Sequence, residues 1–534
     1  MISALIIGSL ILIICIAGSQ IINRLGVPAL IAFLLLGLLM GSVGPWGMLS
    51  FGNYESVESI CSVALVFIIF YGGFGTNWRT ARPVIFESVL YSTAGVLVTA
   101  GVVMLFVKLA LGLGWAESFL IGSVVSCIDA ASIFSILRTK KLSLKYNTAS
   151  VLEIEGGCND LPAYMLTVIA IIILKGQSAG GIFMVVFLQL VVGVLVGVLI
   201  ALGTVFILKR VGKRLLEGMN LVLVIAVAVL SYALSEQFGG NGYLSAYLCG
   251  IILGNAQIPK RSHIINLFDT IDWLAQIVIF FLLGLMAIPS HLPAMILPGT
   301  ILMVFLLFIA RPLATFLCFK PFHAPLRKIL FISWAGIRGA ASIVFVFLAL
   351  ASGVPLESDL FSLIFVVALL SILVQGTFFP AVAKRLDIID VEGDYLLSFN
   401  DFQAHSDAAF MKMRVNPEHE WVGRALRDLE IGQESLIVLI KRGGQTIAPN
   451  GSTVILDGDI LVMTGESYSD DDDANIEQLV VTEDDPWAGL LINELNLPEN
   501  TLIVSVEKSD GSLVTPRGFT KIHPGDTVTT ITWD

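Results

Sequence analysis

Thirteen apolar runs, each long enough or nearly long enough to cross a lipid bilayer, occupy the first 385 residues. Because backbone polar groups must be satisfied within lipid, runs of this kind fold as helices. Hydrophobic residues make up 56% of the chain and charged residues 14%, which excludes a soluble globular protein. The pattern predicts an all-α polytopic membrane domain with 13 transmembrane helices, at about 3–22, 28–42, 57–74, 84–107, 116–137, 147–174, 181–208, 219–236, 242–256, 269–288, 295–318, 327–350 and 359–383.

Basic residues in the loops between these runs indicate how the chain is oriented. Alternate loops carry 18 Lys and Arg residues, whereas the intervening loops carry only Lys108 and Lys175. Positive residues concentrate in cytoplasmic loops. The alternation predicts an N-terminus outside the cell and a cytoplasmic C-terminus. The N-terminal run lacks a basic n-region and a small-residue cleavage site followed by polar sequence, so we expect a first helix that is retained rather than cleaved.

Charge also divides the chain into two parts. Residues 1–385 carry a net charge of about +8 and the remainder about −19. We expect a transmembrane domain followed by acidic cytoplasmic α+β regulatory domains, and nothing in this balance suggests nucleic-acid binding. The expected boundaries are a linker at 386–400, a first domain at 401–466, an acidic linker at 467–475 and a second domain at 476–534.

Two pairs of apolar runs resemble each other at the same offset. Residues 28–42 resemble 242–256, and "CIDAASIF" at 127–134 resembles "GIRGAASIVF" at 336–345. Each pair lies seven runs apart, so the two copies cross the membrane in opposite directions. Inverted repeats of this kind are typical of secondary transporters, whose site lies near the midplane where interrupted helices meet. A regulated cation channel is the alternative class, but the sequence has no filter segment such as TVGYG.

The stretch "EIEGGCNDLPAY" at 153–164 places three acids in a run that otherwise faces lipid. A carboxylate at bilayer depth is costly unless it is paired or hydrated, so it indicates function. Asp160, with Asn159 beside it, is a candidate site for a small monovalent cation, because carboxylate and amide groups are hard oxygen ligands. The same carboxylate could take up a proton when the cation leaves. Gly156 and Pro162 suggest a helix locally opened over a cavity. The alternative is a polar pair that only fixes helix packing.

Other acids and one arginine at membrane depth have structural explanations. Asp129 and Arg338 occupy corresponding places in the repeated helices, where each could offset the dipole of a half-helix; direct cation contact is the alternative for Asp129. Glu155 and Arg338 are expected to form a buried ion pair. Glu153 is expected to be solvated at the mouth of a funnel, or else to be a ligand on the ion path.

Enzymatic chemistry finds no support. The six cysteines lie in apolar runs without paired spacing, so we expect neither a disulfide framework nor a zinc site. No nucleophile–base set or metal cluster can be recognised outside the membrane part. We therefore expect no enzymatic activity and no cofactor.

Several stretches resemble the monovalent cation:proton antiporter-1 family of NhaP type, and most closely its bacterial potassium/proton antiporter branch: "EIEGGCNDLPA", "CIDAASIFSIL", "YLCGIILGN", "WLAQIVIFFLLGL" and "SWAGIRGAASIVF". The resemblance implies a cation and proton site at Asp160 with Asn159, a Glu155–Arg338 pair, and Asp129 in the crossing helix. It also implies electroneutral exchange in a bacterial inner membrane, in the service of pH homeostasis. The implied assembly is a homodimer in which a six-helix core moves like an elevator.

Three positions depart from the family pattern. Relatives usually have Thr where this chain has Ile128, Ser where it has Gly156, and often an acid where it has Tyr71. All three are expected along the ion path. A coordination shell with fewer fixed oxygens would suit a larger and more cheaply dehydrated cation, so K+ is favoured over Na+, and a Na+(Li+)/H+ antiporter of the same fold is the alternative.

The acidic C-terminal part contains its own repeat. Residues 421–465 align with 487–531, and each copy reads as a short strand, a short helix and alternating strands around a glycine-containing turn. The copies resemble the TrkA-C domain, the C-terminal half of regulators of K+ conductance. The resemblance implies a small regulatory ligand such as a nucleotide, although a GxGxxG fingerprint is missing. The alternative is a module that only stabilises a dimer by packing.

Overall fold

A computed structural model describes most of the chain. In the membrane part it describes residues 2–24, 28–41, 53–76, 78–140, 142–176, 179–211, 217–256, 258 and 261–390. In the C-terminal part it describes residues 408–415, 421–429, 436–442, 445–447, 449–466, 474–481, 485, 487–495, 497, 501–508, 513–514, 516, 518 and 520–533. Most of the two expected linkers, 391–400 and 467–473, lies outside the described residues.

The chain divides into two compact units, Met1–Ala404 and His405–Asp534, here called the membrane unit and the C-terminal unit. The described secondary structure of the membrane unit is helical. Its α-helices are α1 Ile2–Arg24, α2 Leu30–Met40, α3 Tyr54–Gly75, α4 Trp78–Ala81, α5 Ile85–Leu90, α6 Val96–Ala110, α7 Trp115–Val124, α8 Ala130–Thr139, α9 Thr148–Cys158, α10 Asp160–Leu174, α11 Ala179–Val211, α12 Glu217–Gln237, α13 Gly242–Asn255, α14 Arg261–Met286, α15 Leu292–Phe305, α16 Arg311–Phe319, α17 Leu326–Trp334, α18 Ala340–Ala351, α19 Leu360–Leu370 and α20 Thr377–Arg385.

Eight helical stretches among the described residues are long and apolar enough to cross a membrane, counting helices that continue into one another as one. Three of them contain a π-helical segment, at 91–95, 306–310 and 371–376. The all-α membrane domain is thus confirmed, whereas the count of 13 spans stays a prediction. The eight stretches are Tyr54–Gly75, Ile85–Ala110, Thr148–Leu174, Gly181–Arg210, Gly218–Gln237, His263–Met286, Leu292–Phe322 and Leu360–Arg385.

The helices of the membrane unit pack in two groups. In the first group, α2 and α3 pack against α14, and α3, α11 and α12 pack against α13. In the second group, α6 and α10 pack against α7, and α15 packs against α19. Helices α9 and α18 contact both groups: each touches α3 of the first group, and in the second group α9 touches α10 and α18 touches α7 and α19. A cavity lies at this junction.

Two helices are interrupted at corresponding places in the repeat. Helix α7 ends at Val124 and α8 begins at Ala130, while α17 ends at Trp334 and α18 begins at Ala340. Both interruptions coincide with the glycine-, alanine- and serine-rich segments that the sequence analysis paired. Small residues permit close backbone crossing and unwinding, which explains why the breaks fall there.

The expected opening of the chain around Gly156–Pro162 is not present. Asn159 has φ −72° and ψ −25°, which is right-handed helical, and its N–H donates to the carbonyl of Glu155 at 2.9 Å. Helices α9 and α10 therefore run on as one 27-residue helix. The prediction was wrong because the backbone stays helical through Asn159 although Pro162 lies in the middle of this helix. Pro162 removes the one hydrogen bond that its own nitrogen cannot make.

The C-terminal unit contains two four-stranded antiparallel sheets, which confirm the predicted repeat. The strands are β1 Ala408–Arg414, β2 Leu436–Arg442, β3 Gln445–Ile447 and β4 Ile460–Glu466, followed by β5 Ala474–Val480, β6 Thr501–Glu507, β7 Leu513–Val514 and β8 Thr527–Trp533. Their order is β1-β4-β2-β3 in the first sheet and β5-β8-β6-β7 in the second. A short 3₁₀ helix precedes β2 and another precedes β6.

A buried ion pair recurs at equivalent places in the two sheets. Arg442 donates from Nε and Nη2 to the two carboxylate oxygens of Asp459, at 2.8 and 2.7 Å. In the second copy Lys508 donates to Asp526 at 2.6 Å. Each aspartate directly follows a glycine with positive φ, Gly458 or Gly525, and the aspartate side chains are at most 1% exposed. The pair therefore fixes the turn before the last strand in each copy.

Candidate cation and proton site

The two helix interruptions meet each other inside the membrane unit. The N–H of Asp129 donates to the carbonyl of Ile337 at 2.7 Å, so the two non-helical segments touch through their backbones. Each interruption leaves unsatisfied N–H groups at the start of one half-helix and unsatisfied carbonyls at the end of another. These ends carry partial positive and negative charges, respectively.

Asp129 caps the positive end of one half-helix. Its carboxylate accepts hydrogen bonds from the backbone N–H of Ser132 at 3.3 Å and from the Ser132 hydroxyl. This is the N-cap geometry in which an aspartate both satisfies an orphan donor and offsets the helix dipole of α8. The geometry fits the structural-electrostatic role expected for Asp129. Because Asp129 also lines the cavity, direct contact with a cation stays open.

Gly339 lies directly against this carboxylate. A Cβ atom added at Gly339 would stand 2.1 Å from Oδ2 of Asp129, far inside van der Waals contact. The start of α18 therefore requires a glycine, because only a residue without a side chain lets the two interruptions approach so closely.

Arg338 binds the carbonyl groups at the negative end of the opposite half-helix, α7. Its Nη1 donates to the carbonyls of Ser126, at 3.0 Å, and of Cys127, both just beyond the end of α7. Its backbone N–H donates to the Ser371 hydroxyl at 2.9 Å. The guanidinium is thus engaged with carbonyl oxygens at the crossing, in the dipole-offsetting role that the repeat suggested.

The predicted Glu155–Arg338 ion pair is wrong, because Glu155 pairs with Arg311 instead. Nη1 of Arg311 lies 2.8 Å from Oε1 of Glu155, and the two side chains are 3% and 1% exposed. The guanidinium of Arg311 also lies over the ring of Tyr91, 5.1 Å from its centroid. Arg338 is unsuited to the role because its Nη1 is held by the carbonyls at the end of α7. The Glu155–Arg311 pair joins α9 to α16 rather than to α18.

Asp160 lines a cavity of about 270 Å³ within the membrane unit. The residue is 6% exposed, and its Oδ1 has no hydrogen-bond partner among the described residues. A buried carboxylate oxygen left in this way is expected to bind water or an ion. A hard oxygen at the wall of a cavity with room for several water molecules has the chemistry that a monovalent cation or a proton requires.

Asn159 is completely buried beside Asp160 but does not line the cavity. Neither the oxygen nor the nitrogen of its side-chain amide has a partner in the part of the chain that the structure describes. A buried amide without hydrogen bonds lowers the stability of the fold, so such a group is expected to contact a ligand or a water molecule. The predicted pair is therefore adjacent in the structure, with only its carboxylate at the cavity wall.

The four residues expected along the ion path all line the same cavity. They come from three separate parts of the membrane unit: Tyr71 from α3, Ile128 from the interruption after α7, and Glu153 and Gly156 from α9. Glu153, however, is only 7% exposed. This corrects the expectation of a solvated mouth residue, because residues 148–157 of α9 are all buried and leave no face of that helix in open solvent.

Helix α14 supplies cavity residues that the sequence analysis missed. Asp269, Asp272 and Gln276 line the cavity at positions i, i+3 and i+7, which lie on one face of a helix. The hydroxyl of Tyr71 donates to Oδ1 of Asp269 at 3.2 Å. This spacing was readable in the sequence, since two acids within an otherwise apolar run are the same signal that singled out Asp160.

Comparison with known proteins places the chain among transporters. Residues 9–385 match the family described as sodium/hydrogen exchanger, transmembrane. The chain belongs to the sodium/hydrogen exchanger family. Residues 410–468 and 476–532 of this exchanger each match the TrkA-C domain, so both resemblances seen in the sequence are confirmed.

Relatives of the exchanger share most of its length. It is 37% identical to the K(+)/H(+) antiporter NhaP of Alkalimonas amylolytica over 72% of this chain and 67% of the relative. It is 32% identical to the K(+)/H(+) antiporter NhaP2 of Shewanella sp. (strain ANA-3) over 88% of this chain and 82% of that protein.

A solved structure supports the fold of the membrane unit. The sodium proton antiporter MjNhaP1 from Methanocaldococcus jannaschii at pH 8 superposes with a TM-score of 0.63 and 21% identity, over 72% of this chain and 99% of that one. The shared fold covers the helical part, and the TrkA-C units extend beyond it.

Proposed function

We propose that this exchanger carries out electroneutral exchange of a monovalent cation for a proton, with K+ preferred, and that Asp160 holds the two ions in turn. The observation that carries the proposal is Oδ1 of Asp160, which is buried at the cavity wall and has no partner among the described residues. Membership of the sodium/hydrogen exchanger family supports the reaction class.

One exchangeable carboxylate accounts for electroneutrality. If Asp160 carries either one monovalent cation or one proton, the same net charge moves in each direction. The proposed role of Asn159 is to present its amide oxygen to the bound cation, for which its buried side chain must turn towards the cavity that Asp160 lines. Asp129, Arg338 and the Glu155–Arg311 pair hold the surrounding half-helices in place, so that the site need not reorganise when the ion is exchanged.

The preference for K+ draws on two kinds of support. Relatives at 37% and 32% identity are named K(+)/H(+) antiporters. In addition, Ile128 and Gly156 bring no side-chain oxygen to the cavity, so the shell around a cation at Asp160 has few fixed ligands. A loose shell favours the cation that is cheaper to dehydrate. Sodium is the alternative, since a relative from Synechocystis at 24% identity over 68% of this chain and 67% of its own length is named Na(+)/H(+) antiporter NhaS2.

We also propose 13 membrane crossings with an outside N-terminus and a cytoplasmic C-terminus. The eight long stretches supply eight crossings. Five more would come from α1, α2, α13, α7 with α8, and α17 with α18. The basic residues of alternate loops support this orientation, and the paired interruptions support the inverted repeat.

The proposed assembly is a homodimer whose core, carrying Asp160, moves relative to the rest. The cavity lies where the two packed groups of helices meet, as an alternating-access site requires. We further propose that the TrkA-C units bind a small regulatory ligand such as a nucleotide. Deleting residues 400–534 tests this role. If the exchange rate of the shortened chain depends on pH and on nucleotide in the same way as that of the full chain, the TrkA-C units have only a packing function.

The function is tested by cation-induced proton flux in proteoliposomes that hold the purified chain. Adding K+ to one side should drive protons towards that same side, as K+ crosses to the other, without building a membrane potential. The order of apparent affinity should be K+ before Na+ and Li+. The Asp160→Asn variant should carry no flux. A variant that still exchanges, or a higher affinity for Na+ or Li+, would overturn the site or the ion preference, respectively.

A further inference from the structure

The α14 side of the cavity contains a second set of oxygen ligands. Asp272 is 9% exposed and Gln276 is 2% exposed, and both line the cavity with Asp269. Nε2 of Gln276 donates to Oδ2 of Asp272 at 2.7 Å. Because only the amino end of an amide can donate to a carboxylate, this contact fixes which end of the Gln276 side chain is which.

The amide oxygen of Gln276 takes no part in this hydrogen bond. Oε1 is buried and has no hydrogen-bond partner among the residues that the structure describes. A buried carbonyl oxygen without a donor loses free energy unless a cation or a water molecule contacts it. Its neighbours in the helix, one and two turns away, are carboxylates, so the local charge selects a cation rather than an anion.

We propose that Asp272 and the amide oxygen of Gln276, with Asp269 beside them, form a second binding site for a monovalent cation, separate from Asp160. This inference rests on the proposed transport of such a cation through the cavity. The site holds the cation with part of its water shell, because α14 is continuous over Arg261–Met286 and its backbone carbonyls are used in the helix. The remaining ligands come from water in the cavity.

Tyr71 connects this site to α3. Its hydroxyl donates to Oδ1 of Asp269 at 3.2 Å, which stabilises negative charge there. The hydrogen bond joins α3 to the acidic face of α14 at the cavity wall. The α14 site and Asp160 line the same cavity. A cation bound at the α14 site therefore raises the local concentration of cations available for exchange at Asp160.

Binding is measured in the Asp160→Asn background, where the exchange site is disabled and transport plays no part in the readout. Unfolding temperature in detergent is followed in KCl against choline chloride at equal ionic strength. We expect K+ to raise the unfolding temperature, since a ligand that binds only the folded state stabilises it. The additional change Gln276→Leu should abolish the rise, and Asp272→Asn, which nearly preserves shape, should do the same.

Thr270→Val is the matched control. Thr270 lies on the same helix, is exposed, and donates its hydroxyl to the carbonyl of Asn266, so its loss removes a polar group without touching the cavity. In the Asp160→Asn background this variant should keep the full K+ effect. The proposal is overturned if K+ does not stabilise the Asp160→Asn protein, if the effect survives Gln276→Leu and Asp272→Asn, or if Mg2+ stabilises at lower concentration than K+.

Transport by the otherwise unaltered exchanger gives an independent readout. Gln276→Leu should raise the K+ concentration for half-maximal exchange about five- to tenfold, the effect of losing one ligand oxygen. The maximal rate should change little, because Asp160 is intact. A lower maximal rate at unchanged half-saturation would assign Gln276 to the fold of α14 and contradict a binding role.

Discussion

Replacing Arg311 by Met should destabilise the membrane unit by about 3–5 kcal/mol, because it leaves the carboxylate of Glu155 buried without its charge partner. The pair is almost fully desolvated, with side chains 3% and 1% exposed and a single contact of 2.8 Å. Replacing both members at once, as Glu155→Gln with Arg311→Met, removes the stranded charge. The double variant should therefore cost about 0–2 kcal/mol, less than the Arg311 variant alone.

The measurement is a double-mutant cycle on the purified exchanger in detergent. All six cysteines are free and five of them are buried, so a thiol-reactive fluorescent dye reports their exposure during thermal unfolding. For a membrane unit spanning Met1–Ala404, the Arg311→Met loss corresponds to a shift in unfolding temperature of about 4–6 °C. The Glu155→Gln variant strands the charge of Arg311 and should also cost about 3–5 kcal/mol. The coupling energy between Glu155 and Arg311, which is the sum of the two single losses minus the double loss, should therefore be at least about 4 kcal/mol.

Arg327 provides the matched control for the loss of an arginine. It forms an ion pair with Asp387 at 2.6 Å, but its side chain is 57% exposed, and exposed pairs contribute about 0–1 kcal/mol. The reasoning is refuted if Arg311→Met is no more destabilising than Arg327→Met. It is equally refuted if Glu155 couples more strongly to Arg338 than to Arg311.

Two further predictions follow from contacts described above. Gly339→Ala should destabilise the membrane unit by at least about 1–3 kcal/mol and reduce the exchange rate, because the added methyl group would clash with the Asp129 carboxylate. Unchanged stability and flux would show that the two helix interruptions separate easily. Arg442→Met should cost about 1–3 kcal/mol by leaving the buried Asp459 carboxylate less satisfied, seen as faster limited proteolysis of residues 405–534. Hydrogen bonds from Arg442 hold the pKa of Asp459 below its ordinary value. The stabilisation by this ion pair is therefore fully present above the unfolded-state pKa of Asp459, and it is lost as pH falls through the folded-state pKa. Acidification should lower the free energy of unfolding of the unaltered chain more than that of the Arg442→Met variant. Equal acid sensitivity of the two proteins would contradict this assignment.

Local composition predicted the helix interruptions well. The glycine, alanine and serine residues around Asp129 and Arg338 both permit unwinding and reveal the repeat, and the structure interrupts a helix at each place. Position in the repeat also predicted where these two side chains lie, since each sits at a half-helix end of the opposite partial charge. The repeated sheets of the C-terminal unit were predictable for a similar reason, because a period-two pattern and a glycine turn act over a few residues.

Side-chain partners across the fold were not predictable in the same way. Two arginines lie deep in the membrane unit, and the sequence alone favours Arg338 for Glu155 because of its place in the repeat. The choice of Arg311 depends on how α16 packs near α9, which is set by contacts 156 residues apart in the chain. The burial of Glu153 was missed for the same reason, as it depends on helices that surround α9 on every side.

The cavity residues of α14 were missed by the sequence analysis for a different reason. Asp269, Asp272 and Gln276 have a helical spacing that was visible in the sequence, but their significance depends on which way that face of α14 points. Only the tertiary arrangement brings the face to the cavity that Asp160 lines.

The central claim is that K+ and the proton compete for the one carboxylate of Asp160. It is tested most directly by measuring the half-saturating K+ concentration for exchange in proteoliposomes across a series of acid pH values. Competition for a single group predicts that this concentration rises about tenfold for each unit by which pH falls, with an unchanged maximal rate. A half-saturating concentration that does not depend on pH, with a maximal rate that falls instead, would show that the two ions bind at different groups.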